Sequence, residues 1–125
     1  MTRKTNRLFL FVGLPFFVFC ALVFRPVPIV TEGECDQVTG VVAHVFEGSS
    51  YDVCFRLQDS DKLYYINRGL EQGLVLEELR RDLLGQEITL KYPRYWTPLD
   101  PANATRHVSK LEFGERVLFD ETKKG

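Results

Sequence analysis

The sequence predicts a mainly β domain of five to six strands with one short helix, held behind a single N-terminal transmembrane helix. Three observations predict it. Residues 8–24, LFLFVGLPFFVFCALVF, form an unbroken run of 17 without a charge or a strongly polar group. From Val38 to Phe119, short segments alternate apolar and polar side chains, the period of half-buried strands. Among them only one stretch, residues 74–84, carries leucines at helical spacing.

The N-terminal run is the first element. At 1.5 Å per residue it makes about 25 Å of helix, at the short end of a bilayer core. Apolar residues resume at Pro26, Val27, Pro28, Ile29 and Val30. With Arg25 snorkelling between the two stretches, residues 8–30 are expected to span. Pro15 and Gly13 are tolerable inside such a helix, with a bend at Pro15. A cleavable signal peptide would share the basic start, but no small-x-small cleavage site follows: cleavage after Ala21 would put Phe19 at −3. Cys20 lacks the small preceding residue of a lipoprotein signal. The run is therefore expected to stay as a signal-anchor with membrane lipid around it. Arg3, Lys4 and Arg7 precede it, so residues 1–7 are expected to be cytoplasmic and the domain extracytoplasmic, periplasmic in a bacterium.

The charge of the remainder sharpens this division. The first 25 residues hold four basic and no acidic side chains, which leaves 12 Lys and Arg against all 17 Asp and Glu, a net −5. An acidic body argues against nucleic acid as a partner, because Lys and Arg contacts to phosphate supply most of that affinity. Residues 31–37, rich in acids and containing Gly33, are expected to be a linker.

The strands follow in order. Residues 38–47 form the first, apolar in part on both faces, and Glu47-Gly48-Ser49-Ser50 the turn. Residues 51–58 place Val53, Phe55 and Leu57 on one face. After Asp59-Ser60-Asp61, residues 62–67 make a third strand. Gly69 and Gly73 precede the helix, where Leu76, Leu79, Leu83 and Leu84 share a stripe and Gly85 stands as the residue that ends it. Residues 87–92 form a fourth strand with Ile88, Leu90 and Tyr92 on one face. A proline-rich loop runs to Thr105. Residues 107–113 and 116–119 then pair around Gly114-Glu115, a hairpin turn with glycine first. Residues 121–125 are a charged tail.

This order, three strands, a helix and two further strands, resembles the OB-fold, a five-stranded Greek-key barrel with its helix between the third and fourth strands. The resemblance covers residues 38–119 and is one of element order, since no motif accompanies it. It implies a small barrel whose loop between strands four and five flanks a ligand.

Few residues carry chemistry. His44 and His107 lie on separate strands, and no cysteine or histidine pair has the spacing of metal ligands. Phosphate-binding and nucleophile-elbow motifs are absent. Glu77 and Glu78 belong to a solvated helix face. No catalytic residue, metal or cofactor is expected. Cys35 and Cys54 could pair in an oxidising compartment, but a straight hairpin would hold them about 27 Å apart. That leaves both a disulfide and two lone structural thiols open. Asn103-Ala104-Thr105 matches a glycosylation acceptor.

One surface stands out. The loop after the fourth strand gathers Tyr92, Arg94, Tyr95 and Trp96, the chain's only tryptophan. Lys91 is adjacent, and Arg68 at the end of the third strand is expected nearby. Aromatic rings beside cations suit a saccharide, a small ligand or a partner protein of the envelope. The alternative is that Tyr95 and Trp96 fold back to cap the barrel. The expected function is thus a tethered binding or scaffolding module. A saccharide or small-ligand binder is the alternative, and an enzyme with dispersed residues ranks last.

Overall fold

The computed structural model describes the backbone of residues 3–24 and 26–124, and the side chains of residues 13–24 and 26–124. Helix α1, Arg3–Val23, is followed by β1 Cys35–Glu47, β2 Val53–Leu57, β3 Leu63–Ile66, α2 Leu76–Leu83, β4 Glu87–Pro93, β5 Thr105–His107, β6 Lys110–Phe113 and β7 Arg116–Asp120. The strands form one seven-stranded mixed sheet in the order β5-β3-β2-β1-β4-β6-β7.

The N-terminal expectation needs correction. Among the described residues no helix is long and apolar enough to cross a membrane. That finding overturns the expected single-pass anchor, and with it the cytoplasmic N-terminus and the periplasmic placement of the domain. The physical reason lies in the second apolar stretch. The expected span needed residues 26–30 to continue the helix, but α1 ends at Val23 and Pro26–Val30 has no regular structure. Pro26 and Pro28 cannot supply the N–H groups a helix requires there. The stretch instead joins the domain, where the Val30 carbonyl accepts a 2.9 Å hydrogen bond from the Lys123 N–H. The basic side chains of Arg3, Lys4 and Arg7, and Arg25 as a whole, lie outside the described residues.

β1 organises the sheet because it is long enough to serve two partners. Its first half, Cys35 to Val41, pairs antiparallel with β4, and its second half, to Glu47, pairs antiparallel with β2. An irregularity between Val42 and His44 marks the change of partner and bends the strand. The strand therefore starts three residues before the expected Val38. The supposed linker contributes Cys35, Asp36 and Gln37, opposite Pro93, Tyr92 and Lys91.

The core matches the alternation in the sequence. Val53, Phe55 and Leu57 of β2 are buried with Ile88 and Leu90 of β4, Val42 and Val45 of β1, and Leu111. Leu79 and Leu83 bring α2 onto this cluster, and the Arg80 Nε donates to the Val45 carbonyl at 2.8 Å. Leu84 is exposed instead of joining the stripe, because the helix stops one residue earlier. There Leu84 and Gly85 occupy the centre of a tight turn closed by the Gln86 N–H on the Leu83 carbonyl at 2.9 Å. Gly85 has φ +77°, the left-handed conformation that a type II turn demands at that place. The run around Gly69 also gains a reason: a Cβ at Gly69 would stand 2.7 Å from Val53 Cγ2, so only glycine lets this turn lie against β2.

The sheet is not closed into a barrel. The expected fifth strand is broken into β5 and β6 around Val108 and Ser109. β5 runs parallel to β3, while β6 runs antiparallel to β4. At the break the Val108 N–H donates to the Tyr65 carbonyl of β3 at 2.7 Å, and the Ser109 N–H donates to the Lys91 carbonyl of β4 at 2.8 Å. β7 then pairs antiparallel with β6 through Gly114-Glu115, giving seven strands where five or six were expected.

Candidate functional site

A partly enclosed concave site lies under the loop that joins β4 to β5. Pro93 ends the β4 ladder, since it has no N–H to extend it. Two successive turns then fold residues 97–103 back, with the Asp100 N–H on the Thr97 carbonyl and the Asn103 N–H on the Asp100 carbonyl, both at 3.1 Å. The Asp100 carboxylate accepts from the Ala104 and Thr105 N–H groups at 2.9 and 2.8 Å. Asn103 has φ +53°, which asparagine tolerates better than most residues. The loop is thus held by its own hydrogen bonds and arches over the edge of the sheet.

Beneath it is a cavity of about 160 Å³ lined by Tyr65, Tyr95, Thr97, Asp100, Asn103, Thr105, Arg106 and His107, with Val27 and Pro93. The parallel pairing of β3 and β5 sets Tyr65 opposite His107. Their rings meet edge to face, with centroids 5.4 Å apart. The His107 Nε2 lies 2.5 Å from Glu121 Oε1, which fixes the imidazole plane. Burial, then the nearby Asp52 carboxylate, pushes the Tyr65 phenol above its ordinary range, so it stays a hydrogen-bond donor at neutral pH.

Arg106 is the unusual member. Its guanidinium carbon lies 5.0 Å from the centroid of the Tyr92 ring, and one terminal nitrogen donates to the Tyr95 carbonyl at 3.3 Å. Its Nε is fully buried without a hydrogen-bond partner. No carboxylate among the described residues forms an ion pair with it. Two cations on neighbouring strands are neutralised. Lys91 and Lys110, opposite each other on β4 and β6, share Glu32 and Glu112, and Lys110 also reaches Asp120 at 4.0 Å.

The surface expected from the sequence is divided among several places. Tyr95 enters the cavity. Tyr92 packs against the core, under Arg106 and 6.1 Å from Tyr64 between ring centroids. Arg94 turns away and pairs with Asp36 of β1 at 2.9 Å. Trp96 is 43% exposed, donates from its indole nitrogen to the Pro101 carbonyl at 3.2 Å, and shares an apolar groove with Pro98 and with Leu14, Val18, Phe19 and Leu22 of α1. Lys91 belongs to the ionic cluster. Arg68 lies away from the loop, its N–H on Asp52 and its side chain 3.5 Å from Glu71.

The cysteines lie toward opposite ends of β1, Cys35 opposite Pro93 and Cys54 opposite Phe46, and both are free thiols. His44 is exposed and remote from the cavity, opposite Arg56. Among the described residues no cluster of three histidine, cysteine, aspartate or glutamate side chains is placed to hold a metal ion.

Sequence reasoning missed Tyr65, Asp100 and Arg106, and treated His107 only as a strand residue. No local signal joined them, because they meet only through the pairing of β5 with β3. Comparisons of the chain with protein families, with curated proteins and with solved structures find no match in any of the three.

Proposed function

We propose that this chain is a binding module that seats one ring-sized ligand, such as a single residue of a saccharide, in the cavity under the 93–104 loop. The observation that carries the reading is the composition of that cavity: two tyrosine rings beside hydrogen-bonding side chains on a loop held by its own bonds. Its volume of about 160 Å³ is close to that of an engineered cavity that accepts benzene, so it has room for one ring. Tyrosine faces stack on sugar rings, while Thr97, Asn103 and Thr105 offer partners to hydroxyl groups.

The same reading includes an OB-like architecture. It is supported by the parallel β3–β5 pair, by the antiparallel β1–β4 pair, and by the hydrogen bonds of Val108 and Ser109 to opposite sides of the break. In that fold the loop between the fourth and fifth strands borders the ligand. Binding is favoured over turnover because the cavity's acid and imidazole are engaged structurally, Asp100 with two backbone N–H groups and His107 with Glu121.

A second reading, scaffolding of a protein partner, is favoured by the apolar groove between Trp96 and α1. Nuclear magnetic resonance titration of the full chain with a monosaccharide panel tests the first reading. Shifts centred on Tyr65, Tyr95 and His107 that vanish in Tyr95→Ala are the expected result. Saccharide binding that leaves these residues untouched would remove the cavity from consideration.

A further inference from the structure

We infer that the cavity is one end of a longer groove, and that the ligand is a chain of two or more linked sugar rings running from it across Tyr65 toward Phe46. The inference rests on the cavity being a binding site and deepens it. Strand register supplies the floor of the groove. Phe46 of β1 stands opposite Cys54 of β2, Cys54 opposite Tyr65 of β3, and Tyr65 opposite His107 of β5. Cross-strand partners share a face of the sheet, so these four side chains form one row. None of the four belongs to the core cluster, which takes Val45, Phe55, Tyr64 and Ile66 from the opposite face. At ~4.8 Å between neighbouring strands the row runs about 14 Å, longer than one ring needs.

Two hollows meet on this row. Tyr65 and Thr105 line the cavity under the 93–104 loop, and they also line a second, open hollow of about 420 Å³ whose other walls include Phe46, Ser49, Asp52 and Asn67. The Tyr65 phenol stands at the join. Burial raises it most, and the charged and polar groups that raise it further come from both sides, Asp52 from the second hollow and Tyr95 and Asp100 from the first. The second hollow is held by its own bonds, as the first is. The Gly48 N–H donates to the Asp52 carbonyl at 2.9 Å, and the Asp52 carboxylate accepts from the Arg68 N–H at 2.8 Å, which fastens the β1–β2 turn to the end of β3. A Cβ at Gly48 would stand 2.7 Å from the Cys54 Sγ, so glycine lets this turn lie close on the row. The lining repeats the chemistry of the cavity: an aromatic ring, Phe46, beside the hydroxyl, amide and carboxylate of Ser49, Asn67 and Asp52. A single ring in the cavity leaves that surface unused, and a linked chain covers both.

Calorimetric and nuclear magnetic resonance titration of the full chain with two series, glucose, cellobiose and cellotriose, and N-acetylglucosamine, chitobiose and chitotriose, tests the inference. In at least one series the dimer should bind about tenfold or more tighter than the single sugar, the gain that one added ring contact and one hydrogen bond supply together. Shifts caused by the single sugar should centre on Tyr65, Tyr95 and His107, and those caused by the dimer should spread to Phe46, Ser49 and Asn67. Phe46→Ala and Asn67→Ala should each shrink the dimer's advantage by about threefold or more. Asn67 is exposed, so its replacement keeps the chain folded even if Phe46→Ala does not. A dimer that binds no tighter than its single sugar, with shifts still confined to Tyr65, Tyr95 and His107, would overturn the groove and leave the cavity as a site. A tighter dimer whose shifts miss Phe46, Ser49 and Asn67 would also overturn it, because the second ring then lies elsewhere. Heat from none of the sugars, with no shift at Tyr65 or Tyr95, would overturn both the groove and the cavity. The comparison of dimer with single sugar in the unaltered chain decides the matter even if neither variant folds.

Discussion

Trp96→Ala separates a surface tryptophan from a buried plug by magnitude alone. The side chain is 43% exposed, so somewhat more than half of it is covered. A fully buried aromatic hides about 150–250 Å², which puts the covered part of Trp96 near ~130 Å². At ~25 cal/mol per Å² that is about 3 kcal/mol. The unfolded chain already hides some of this area, which lowers the figure to about 2 kcal/mol. The indole hydrogen bond to Pro101 adds little, because water replaces it. The expected loss of about 2 kcal/mol should lower the melting temperature by roughly 10 °C for a domain of this size. Phe55 is completely buried, and Phe55→Ala should cost about 3–5 kcal/mol. Thermal melts and urea titrations followed by circular dichroism give both values. A Trp96→Ala loss equal to that of Phe55→Ala would make Trp96 part of the core. A loss below ~0.5 kcal/mol would mean that the loop and α1 do not cover it at all, and either result refutes the packing described above.

Two further perturbations address the scaffold. Leu79→Asp places a carboxylate on the helix face that meets the sheet, where Leu79 is 7% exposed. The soluble fraction on expression should fall sharply, and a variant that melts within a few degrees of the parent would refute the docking of α2. Glu32→Gln tests the ionic cluster that fastens the segment before β1. Hydrogen bonds from Lys91 and then Lys110 hold the Glu32 carboxyl below its ordinary value, while Lys91 and Lys110 are raised, chiefly by Glu32. A lowered carboxyl contributes stability that is present above its unfolded value and lost as pH falls through its folded one; the raised lysines lose theirs only as pH rises through their own range. Urea midpoints measured between about pH 7 and pH 3 should therefore drop less steeply for Glu32→Gln than for the parent. Identical slopes would show that the cluster does not link acid titration to folding.

The elements were legible wherever one periodicity dominated. Val53, Phe55 and Leu57 announced β2, and Leu79 and Leu83 announced α2, because burial on one face leaves a repeat that composition cannot hide. What escaped was decided by partners distant in sequence. The acids and glycine of residues 31–37 read as a linker, yet Cys35 to Gln37 extend β1 because Pro93, Tyr92 and Lys91 stand opposite them. The bend at Val42, where β1 changes partners, leaves no local mark. Residues 107–113 read as one strand, but Val108 and Ser109 donate to different neighbours and split it. The apolar run of residues 8–24 was plain, but its extension to residue 30 was an error of continuity. Pro26 and Pro28 interrupt the helix, and Val30 is claimed by Lys123.

The site shows the same division at finer grain. Arg94, Tyr95 and Trp96 are neighbours in sequence and were read as one surface, but a loop outside regular structure sends successive side chains in unrelated directions. One pairs with Asp36, one lines the cavity and one meets α1. A cluster in sequence becomes a cluster in space only where a helix or strand imposes the period, and this loop imposes none. The residues that do converge with Tyr95 come from the parallel β3–β5 pair, where the register sets Tyr64 opposite Arg106 and Tyr65 opposite His107. That register brings together positions 42 residues apart, so no local window of sequence could have joined them. The start of β5 lies at the end of the looped-back segment, and the Tyr92 ring and the Tyr95 carbonyl hold the Arg106 guanidinium. The neighbours of Arg106 are thus a consequence of topology, set by a strand pairing and not by any pattern in its own segment.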